Sequence, residues 1–365
     1  MHSEAMRIRL CGPDSVDKEV LVIKYLGSKR LLVPRLVEAI TAGGARTALD
    51  LFSGTSRVGH ALKRAGLQVH ANDHNAYACT LARCYVGTDA RRWRSRAERL
   101  LAELDAIPGR AGWFTETYCV RSRFLRPENG ARVEAIRDRI AAMGLEPPLE
   151  AVALTSLIEA ADRVDSTVGL QMAYLKDWAK RAYNPLTLRM PELLDGPGTV
   201  SCLDALEAAR RYEADVVYLD PPYNQHSYLG NYHLWETVVR WDRPEVYGVA
   251  CKRTDVRERG SAFNRRGTMT AAFAELVASV RASRIVVSFN DEGFLALPEL
   301  RRLLGERGRV HEVAVEHPRY IGHRLGIHNL QGEKVGVPGR ARNHEHLFVV
   351  ECAASGAAVR EAVPA

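Results

Sequence analysis

Asp220-Pro221-Pro222-Tyr223 closes the apolar run "VVYL" and is followed by Asn224. Two successive prolines cannot extend a sheet, because neither has an N–H to give to the ladder. A strand stopped by a proline turn would account for them, but not for the acid before them or the ring after. Within four residues the chain presents a carboxylate, a stiffened backbone carbonyl and a flat aromatic face. Two acceptors beside a ring suit a planar amine: each acceptor takes one N–H, and the ring stacks on the heterocycle. Such stacking on a base contributes on the order of 1–3 kcal/mol.

The exocyclic amine of a nucleobase has this shape and is a poor nucleophile, because its lone pair is delocalised into the ring. Bonding its hydrogens to Asp220 and to the carbonyl of Pro221, which Pro222 stiffens, leaves the lone pair facing an electrophile. The nitrogen becomes cationic as it forms its new bond, and Asp220 can stabilise that charge and take the proton. Methyl transfer from a sulfonium centre meets these demands, with alignment of the two partners supplying much of the rate.

A second constellation points to the methyl donor. "DLFSGTSRVG" (50–59) reads as a buried strand, a small-residue turn and a helix. That is where a doubly wound sheet holds the polar end of a nucleotide-like ligand. Phe52, Ser53 and Gly54 form the turn. Asp73 ends the next strand at roughly the twenty-residue offset of an acid that bonds ribose hydroxyls. Neither GxGxxG nor GxxxxGK[ST] is present, so no phosphate cradle is indicated. A glycine turn and a ribose-reading acid without phosphate apparatus suit S-adenosyl-L-methionine, an adenosine joined to a zwitterion.

The elements that must position these groups follow from periodicity. "EVLVIKYLGSKRLLVPRLVEAI" gives a short apolar run, a Gly-Ser turn and an amphipathic helix. Two β-turn-α units follow, over 45–66 and 67–86, and predict a parallel sheet with helices against it. From 86 strand signals thin out and helices such as "ARVEAIRDRIAAM" and "PLEAVALTSLIEAADRV" dominate, which marks an insertion over 86–197. The sheet resumes at 198, and "RVHEVAVEH" with "EHLFVVEC" reads as an antiparallel edge pair. The expected division is 1–85 and 198–365 for the two parts of one sheet domain, with 86–197 between them.

At 365 residues the chain exceeds one typical core, which fits a large domain with an insertion. No apolar stretch approaches the roughly 18–20 residues that span a bilayer, and the start, read as a loose arm, has no signal-peptide core. Seven cysteines without regular spacing are expected as free thiols in a reducing cytoplasm. Cys79 and Cys84 lack a second pair, and His317, His323, His328, His344 and His346 follow no ligand spacing, so no metal site is expected. The net charge of +7 suits a polyanion, and arginine concentrates at 90–99 and 121–132.

These motifs in this order resemble the DPPY-type amino-methylating DNA methyltransferases, specifically the adenine-specific DNA methylases of the D12 class, from about residue 22 to 350. "KYLGSK" (24–29) is similar to the family's N-terminal cofactor motif, which implies Lys24 or Lys29, the closer match, at the methionine carboxylate. "DLFSGTSRVG" resembles the FxGxG motif with Ser56 in place of the second glycine; "ANDHN" carries the ribose acid Asp73; "CLDAL" implies Asp204 beside the cofactor adenine. "VVSFND" is similar to a later family strand, with Asn290 at its end.

The resemblance implies an α/β fold: a Rossmann-like methyltransferase mixed sheet with helices on both faces, plus a mainly helical inserted recognition domain. It implies double-stranded DNA as partner and leaves room for a cognate restriction endonuclease acting on the same site. DNA would be met by Arg92, Arg94, Arg121 and Arg123, with Trp93 and Phe124 as exposed aromatics, and Tyr228 would line a pocket for an extruded base. The expected activity is methylation of adenine N6, for restriction–modification or epigenetic marking. Cytosine N4 is the nearest alternative, although cytosine members more often begin the tetrapeptide with serine. A catalytically dead DNA-binding fold would have no need of intact Asp220, Tyr223, Asp73 and Lys29.

Overall fold

The computed structural model describes residues 23–172, 177–291, 293–318 and 342–353. The expected N-terminal arm, His323 and His328 lie outside them. Five strands run parallel: β1 (Thr47–Asp50), β2 (Gln68–Asn72), β3 (Thr199–Ser201), β4 (Val216–Leu219) and β7 (Arg284–Asn290). β9 (Arg342–Cys352) lies antiparallel between β7 and β8 (Gly308–Pro318), giving the order β3-β2-β1-β4-β7-β9-β8. The mixed sheet and its antiparallel edge pair match the sequence expectation. A small hairpin, β5 (Val246–Tyr247) and β6 (Lys252–Arg253), stands apart.

The sheet is covered on both faces, which explains why β4 reads as one apolar run rather than an alternation. Val216, Tyr218 and Val286 face a core that includes Leu36 of α1 (Val33–Thr41) and Leu62 of α2 (Arg57–Arg64). Val217, Leu219, Ile285 and Val287 face the other core. They meet Ala208 of α8 (Ala205–Arg211), Phe273 of α11 (Arg266–Ser279) and Leu300 of α12 (Leu297–Gly305).

The inserted segment shares its core with the sheet domain. α4 (Ala90–Asp105), α5 (Trp113–Thr115), α6 (Pro127–Met143) and α7 (Pro147–Arg163) pack with α3 (Ala76–Ala82) and α10 (His233–Arg240) around one set of buried side chains. α7 is central to it: every residue from Ala151 to Asp162 is buried, as befits a helix apolar on all sides. The 86–197 segment is therefore a helical layer of the same body rather than a second one. Trp93 and Phe124, expected as exposed, are 6% and 0% exposed. α4 turns Trp93 inward with Ala97, Leu100 and Leu104, the helical spacing that buries one stripe.

Cys79 of α3 and Cys202, just past β3, are joined as a disulfide with their Cα atoms 5.7 Å apart, so the expectation of free thiols fails for this pair. Cys84, Cys119 and Cys251 are free and buried. His346 meets Glu312 of the neighbouring strand at 2.8 Å. Among the described residues no helix is long and apolar enough to cross a membrane.

After α10 the chain must return across the open end of the sheet, and one buried arginine organises that return. Arg253 lies at 2% side-chain exposure with its guanidinium forked onto Asp242 (2.6 and 2.8 Å) and Asp255 (3.0 Å twice). Asp255 also meets Arg240 and Arg259. Arg253→Lys keeps the charge but cannot span both carboxylates. Its expected cost is about 2–3 kcal/mol, read as a lower urea midpoint with unchanged slope; an unshifted midpoint would remove this role.

Candidate active site

β1 and β4 are neighbours, yet the chain leaves β1 toward β2 and leaves β4 toward β7. The connections diverge at that point and leave a crevice at the carboxyl ends of the strands, where ligands bind in open α/β sheets. The described residues form a cleft there with about 860 Å³ of free space, open to solvent. Its walls come from 25–29, from 50–55 after β1, from 72–75 after β2, from Leu203 and Ala205, and from Asp220 and Pro222 after β4. Tyr228, Arg259 and Asn264 close it from the far side.

The turn after β1 is fixed by its neighbours. Leu51 N–H donates to the Tyr218 carbonyl (3.2 Å) and Ser53 N–H to the Asn72 carbonyl (2.8 Å). Gly54 has φ +50° and donates its N–H to Asp73 Oδ2 at 3.0 Å. A side chain on Gly54 would stand 3.3 Å from the Tyr25 ring. Ser56, where the resembled motif has its second glycine, keeps the left-handed conformation at φ +59°. The backbone demand for glycine survives its replacement, at a strain of about 1–2 kcal/mol.

Asp50 at the end of β1 was missed as a site residue, although "LDLFSG" displays it. It is 1% exposed, and its Oδ2 accepts from Gly59 N–H (3.0 Å) in the first turn of α2. Its Oδ1 has no partner, nor have Ser53 Oγ and Asn75 Oδ1, all three buried along the cleft wall. Burial first, then Asp220 and Asp73, pushes Asp50 up to about 7, against the pull of the Gly59 bond.

Asp220 is the acid expected to carry the chemistry, and its surroundings were only partly foreseen. Its Oδ1 lies 3.0 Å from Lys29 Nζ and accepts from Ser288 Oγ at 3.3 Å, while Ser288 bonds the buried Tyr218 hydroxyl at 2.7 Å. Lys29 was expected to grip the carboxylate of the methyl donor. Its ammonium is instead shared between Asp220 and Glu345, a residue of β9 that is buried beside it. Burial opposes the Lys29 charge, but Asp220 and Glu345 outweigh it and hold the lysine well above its usual pKa. Asp220 is pushed up to about 6, by burial first, against the pull of Lys29 and with a further push from Glu345.

The loop after Asp220 is pinned from outside. Phe294 N–H donates to the Tyr223 carbonyl (2.7 Å), and Asn264 Nδ2 donates to the carbonyls of Asn224 (2.8 Å) and His226 (3.1 Å). Pro221 is buried. The Tyr223 ring leans edge-on against Phe289 rather than lining the cleft. Tyr228, at the start of α9 (Tyr228–Asn231), does line it, stacked on Tyr25, which stacks in turn on Tyr232.

The remaining expected residues scatter. Lys24 turns away from the cleft onto Asp162 (2.9 Å) and Asp165 (3.3 Å) of the inserted layer. Asp204 is an exposed N-cap of α8, accepting from Leu206 N–H, and its neighbours Leu203 and Ala205 face the cleft instead. Phe52 is in the wall, edge-on to Phe263. Arg92 and Arg94 begin α4 beside 193–196, the segment that leads into the start of β3. That is the edge of the sheet opposite the cleft. Arg94 bonds the Leu193 carbonyl and Arg92 lies over Trp93. Arg121 is exposed, and Arg123 lies over the Trp178 ring at 4.8 Å.

An acid whose folded pKa exceeds its unfolded value favours the fold while protonated and disfavours it once ionised. For Asp50 the window runs from about 4 to about 7. His60 and His70, both lowered to about 4 chiefly by burial, work in the opposite direction over much of that range. The clean measurement is therefore a difference. Asp50→Asn should gain on the wild type as pH rises through this window, by up to about 1.4 kcal/mol per pH unit in paired urea titrations. A difference independent of pH would contradict the assignment.

Residues 25–289 match the family described as D12 class N6 adenine-specific DNA methyltransferase. The chain is 30% identical over 314 residues to the Type II methyltransferase M.NlaIII of Neisseria lactamica, covering 82% of this chain and 92% of that protein. It is 28% identical over 303 residues to the modification methylase StsI of Streptococcus sanguinis, and 30% identical over 308 residues to M.FokI of Planomicrobium okeanokoites. In each of these two cases 78% of this chain is covered, but it spans only 46% and 47% of the relatives' own length. The chain belongs to the family of D12 class N6 adenine-specific DNA methyltransferases.

Proposed function

We propose that this chain methylates the exocyclic N6 amine of an adenine in double-stranded DNA, with S-adenosyl-L-methionine as donor. The observation that carries this reading is the placement of Asp220 in one cleft with Ser53, Gly54 and Asp73. A reacting amine and a donor can therefore meet there.

The unpartnered buried atoms of the wall fit the donor's chemistry. Asp50 Oδ1 can accept from an ammonium, Ser53 Oγ can donate to a carboxylate, and Asn75 Oδ1 can accept a further hydrogen. Asp73 Oδ1 accepts from both Asn75 N–H and Asn75 Nδ2, and Oδ2 accepts from Gly54 N–H and keeps a lone pair for a ribose hydroxyl. Leu203 and Ala205 offer apolar surface to a purine. When bound, the donor supplies an electrophilic methyl group on a sulfonium sulfur.

The chain's own part is to hold the amine. Asp220 and the Pro221 carbonyl take its two hydrogens, and the loop pins from Phe294 and Asn264 keep both acceptors in place. As positive charge develops on nitrogen, Asp220 stabilises it and then accepts a proton. Tyr228, stacked on Tyr25 at the cleft mouth, offers an aromatic face to an extruded base. Adenine, the target in the family's description, favours the N6 amine over the N4 amine of cytosine. The two relatives called Type II methyltransferases and the modification methylase support a restriction–modification setting, in which a nuclease reads the same site.

For DNA contact the geometry favours Arg121 and Arg123 over Arg92 and Arg94. Phe124, next to Arg123, bonds Ser166, whose neighbour Asp165 holds Lys24 at the start of the cleft-lining segment.

Two measurements test the reading. Asp220→Ala should reduce transfer of labelled methyl to unmodified DNA by at least about 10³-fold while donor affinity by calorimetry stays within a few-fold; loss of donor binding instead would put this acid in the wrong pocket. Arg121→Ala with Arg123→Ala should reduce the slope of log K against log salt by about one to two, whereas the same change at Arg92 and Arg94 should leave it unaltered. The reverse pattern would move the DNA to the opposite edge of the sheet.

A further inference from the structure

We propose that Glu345 is a positioning residue for methyl transfer: from β9 it holds the Lys29 ammonium beside Asp220 and takes half of its attention, so that Asp220 remains an acceptor for the substrate amine. The inference rests on the reading of Asp220 given above and deepens it.

The geometry is a cluster of three charges. Lys29 Nζ is 3.0 Å from Asp220 Oδ1 and is also bonded to Glu345 Oε1, with side-chain exposures of 7%, 20% and 8% for Lys29, Asp220 and Glu345. An isolated Lys29–Asp220 pair would be neutral, and its ammonium would compete with the amine for the carboxylate's lone pairs. Adding Glu345 makes the trio carry a net negative charge. A negative trio suits an amine that turns cationic as it is methylated, because fixed charge aimed at developing charge does its work without reorganisation.

Glu345 is also held well enough for the task. It sits opposite Asn290 on β7 and Val315 on β8, inside the sheet rather than on a free loop. Because β9 runs antiparallel, its early residues stand at the same edge as the carboxyl ends of β4 and β7. Its neighbour His346 is taken up by Glu312 and is not part of the trio. The other groups that bear on Asp220 are Ser288 and Tyr218 beneath it, Asp50 from β1 and Tyr228 from α9. Arg259 and Arg57 also line the cleft, but Lys29 is the cation paired with Asp220, so the sharing of its charge bears on how basic and how available Asp220 is. Burial first pushes Asp220 up to about 6, with Lys29 pulling down and Glu345 adding to the push; removing Glu345 leaves burial alone to oppose the pull.

The test compares the full chain with Glu345→Gln and Glu345→Asp. Single-turnover methylation of adenine-containing DNA is followed from about pH 5 to 8, alongside a carbon-13 titration of the Asp220 carboxyl in the unliganded protein. In Glu345→Gln the transfer rate should fall about 10-fold or more with donor affinity within about threefold. The acid limb of the rate profile and the Asp220 titration should both move to lower pH, and Glu345→Asp should recover part of each. A Gln variant within about twofold of the wild type in rate, or an Asp220 titration that does not move, overturns the proposal, and so does a rate loss without that movement. A wild-type chain that transfers no methyl would sink the functional reading instead. The Asp220 titration needs neither DNA nor donor, and it would still decide whether Glu345 governs that carboxylate.

Discussion

The reversal of strand order between β1 and β4 is the constraint on which the site depends. Two parallel neighbours whose chains depart in opposite directions cannot both be roofed by the helices that follow them, so a crevice opens above their carboxyl ends. The turn bearing Ser53 and Gly54 leaves one strand there and Asp220 leaves the other. Asp73 arrives from β2, one place further out, and Glu345 arrives because β9 is turned round. Residues as far apart as 316 positions in the chain, Lys29 and Glu345, touch for this reason alone.

That edge is also where the molecule departs from the rules that make a fold stable. Asp50 is a buried acid with an unpartnered oxygen, Ser56 sits in a conformation suited to glycine, and Lys29 is removed from water between two carboxylates. Each of these features costs stability, since desolvating charge often outweighs what pairing returns. Functional sites are where such departures concentrate, and the rest of the structure has to offset them. Here the offset lies in a sheet buried on both faces and in α7, whose apolar surface is engaged all round. Arg253, with its four bonds to two aspartates, stiffens the segment that carries Arg259 and Asn264 to the cleft.

What the sequence disclosed was what is locally encoded. The first two β-turn-α units were legible because strand, turn residue and helix period are contiguous, and Asp220 stands in the cleft because it ends the strand that the sequence marks, while the Tyr223 ring leans on Phe289 instead. Distances between separate segments were not. "KYLGSK" offers two lysines, but the turn at Gly27, at φ +73°, sends Lys24 to the inserted helices and Lys29 to the cleft. The arginines of 90–99 look like a basic patch, yet a helical period says only which residues share a face. Arg91 and Arg96 are taken up by Asp195 and Glu146, acids from segments about 50 to 100 residues away in sequence. Glu345 had no local signal at all, being one acid at the head of an apolar run. The change of composition at 86 suggested a separate domain, while the apolar girth of α7 already spoke for a shared core.

The two ends of the cleft are built differently. At the end expected to meet adenosine the walls are tied by directional bonds. Asn72 donates to the carbonyls of Leu51 and Leu203 and accepts from Ser201 and Leu203, and the Cys79–Cys202 link joins α3 to the end of β3. At the end proposed for the amine the partners are ionic: Lys29 and Glu345 act on Asp220, Asp220 and Glu345 act on Lys29, and Asp50 and Tyr228 feel Asp220. Hydrogen bonds to backbone fix shape and respond little to what enters. Mutually dependent charges respond to a new donor or a new cation. Shape is needed where a ligand has only to be recognised, and adjustable charge where a nitrogen changes from neutral to cationic. On the proposed function, the distribution of bond types along the cleft follows the division between holding a methyl donor and reacting with it.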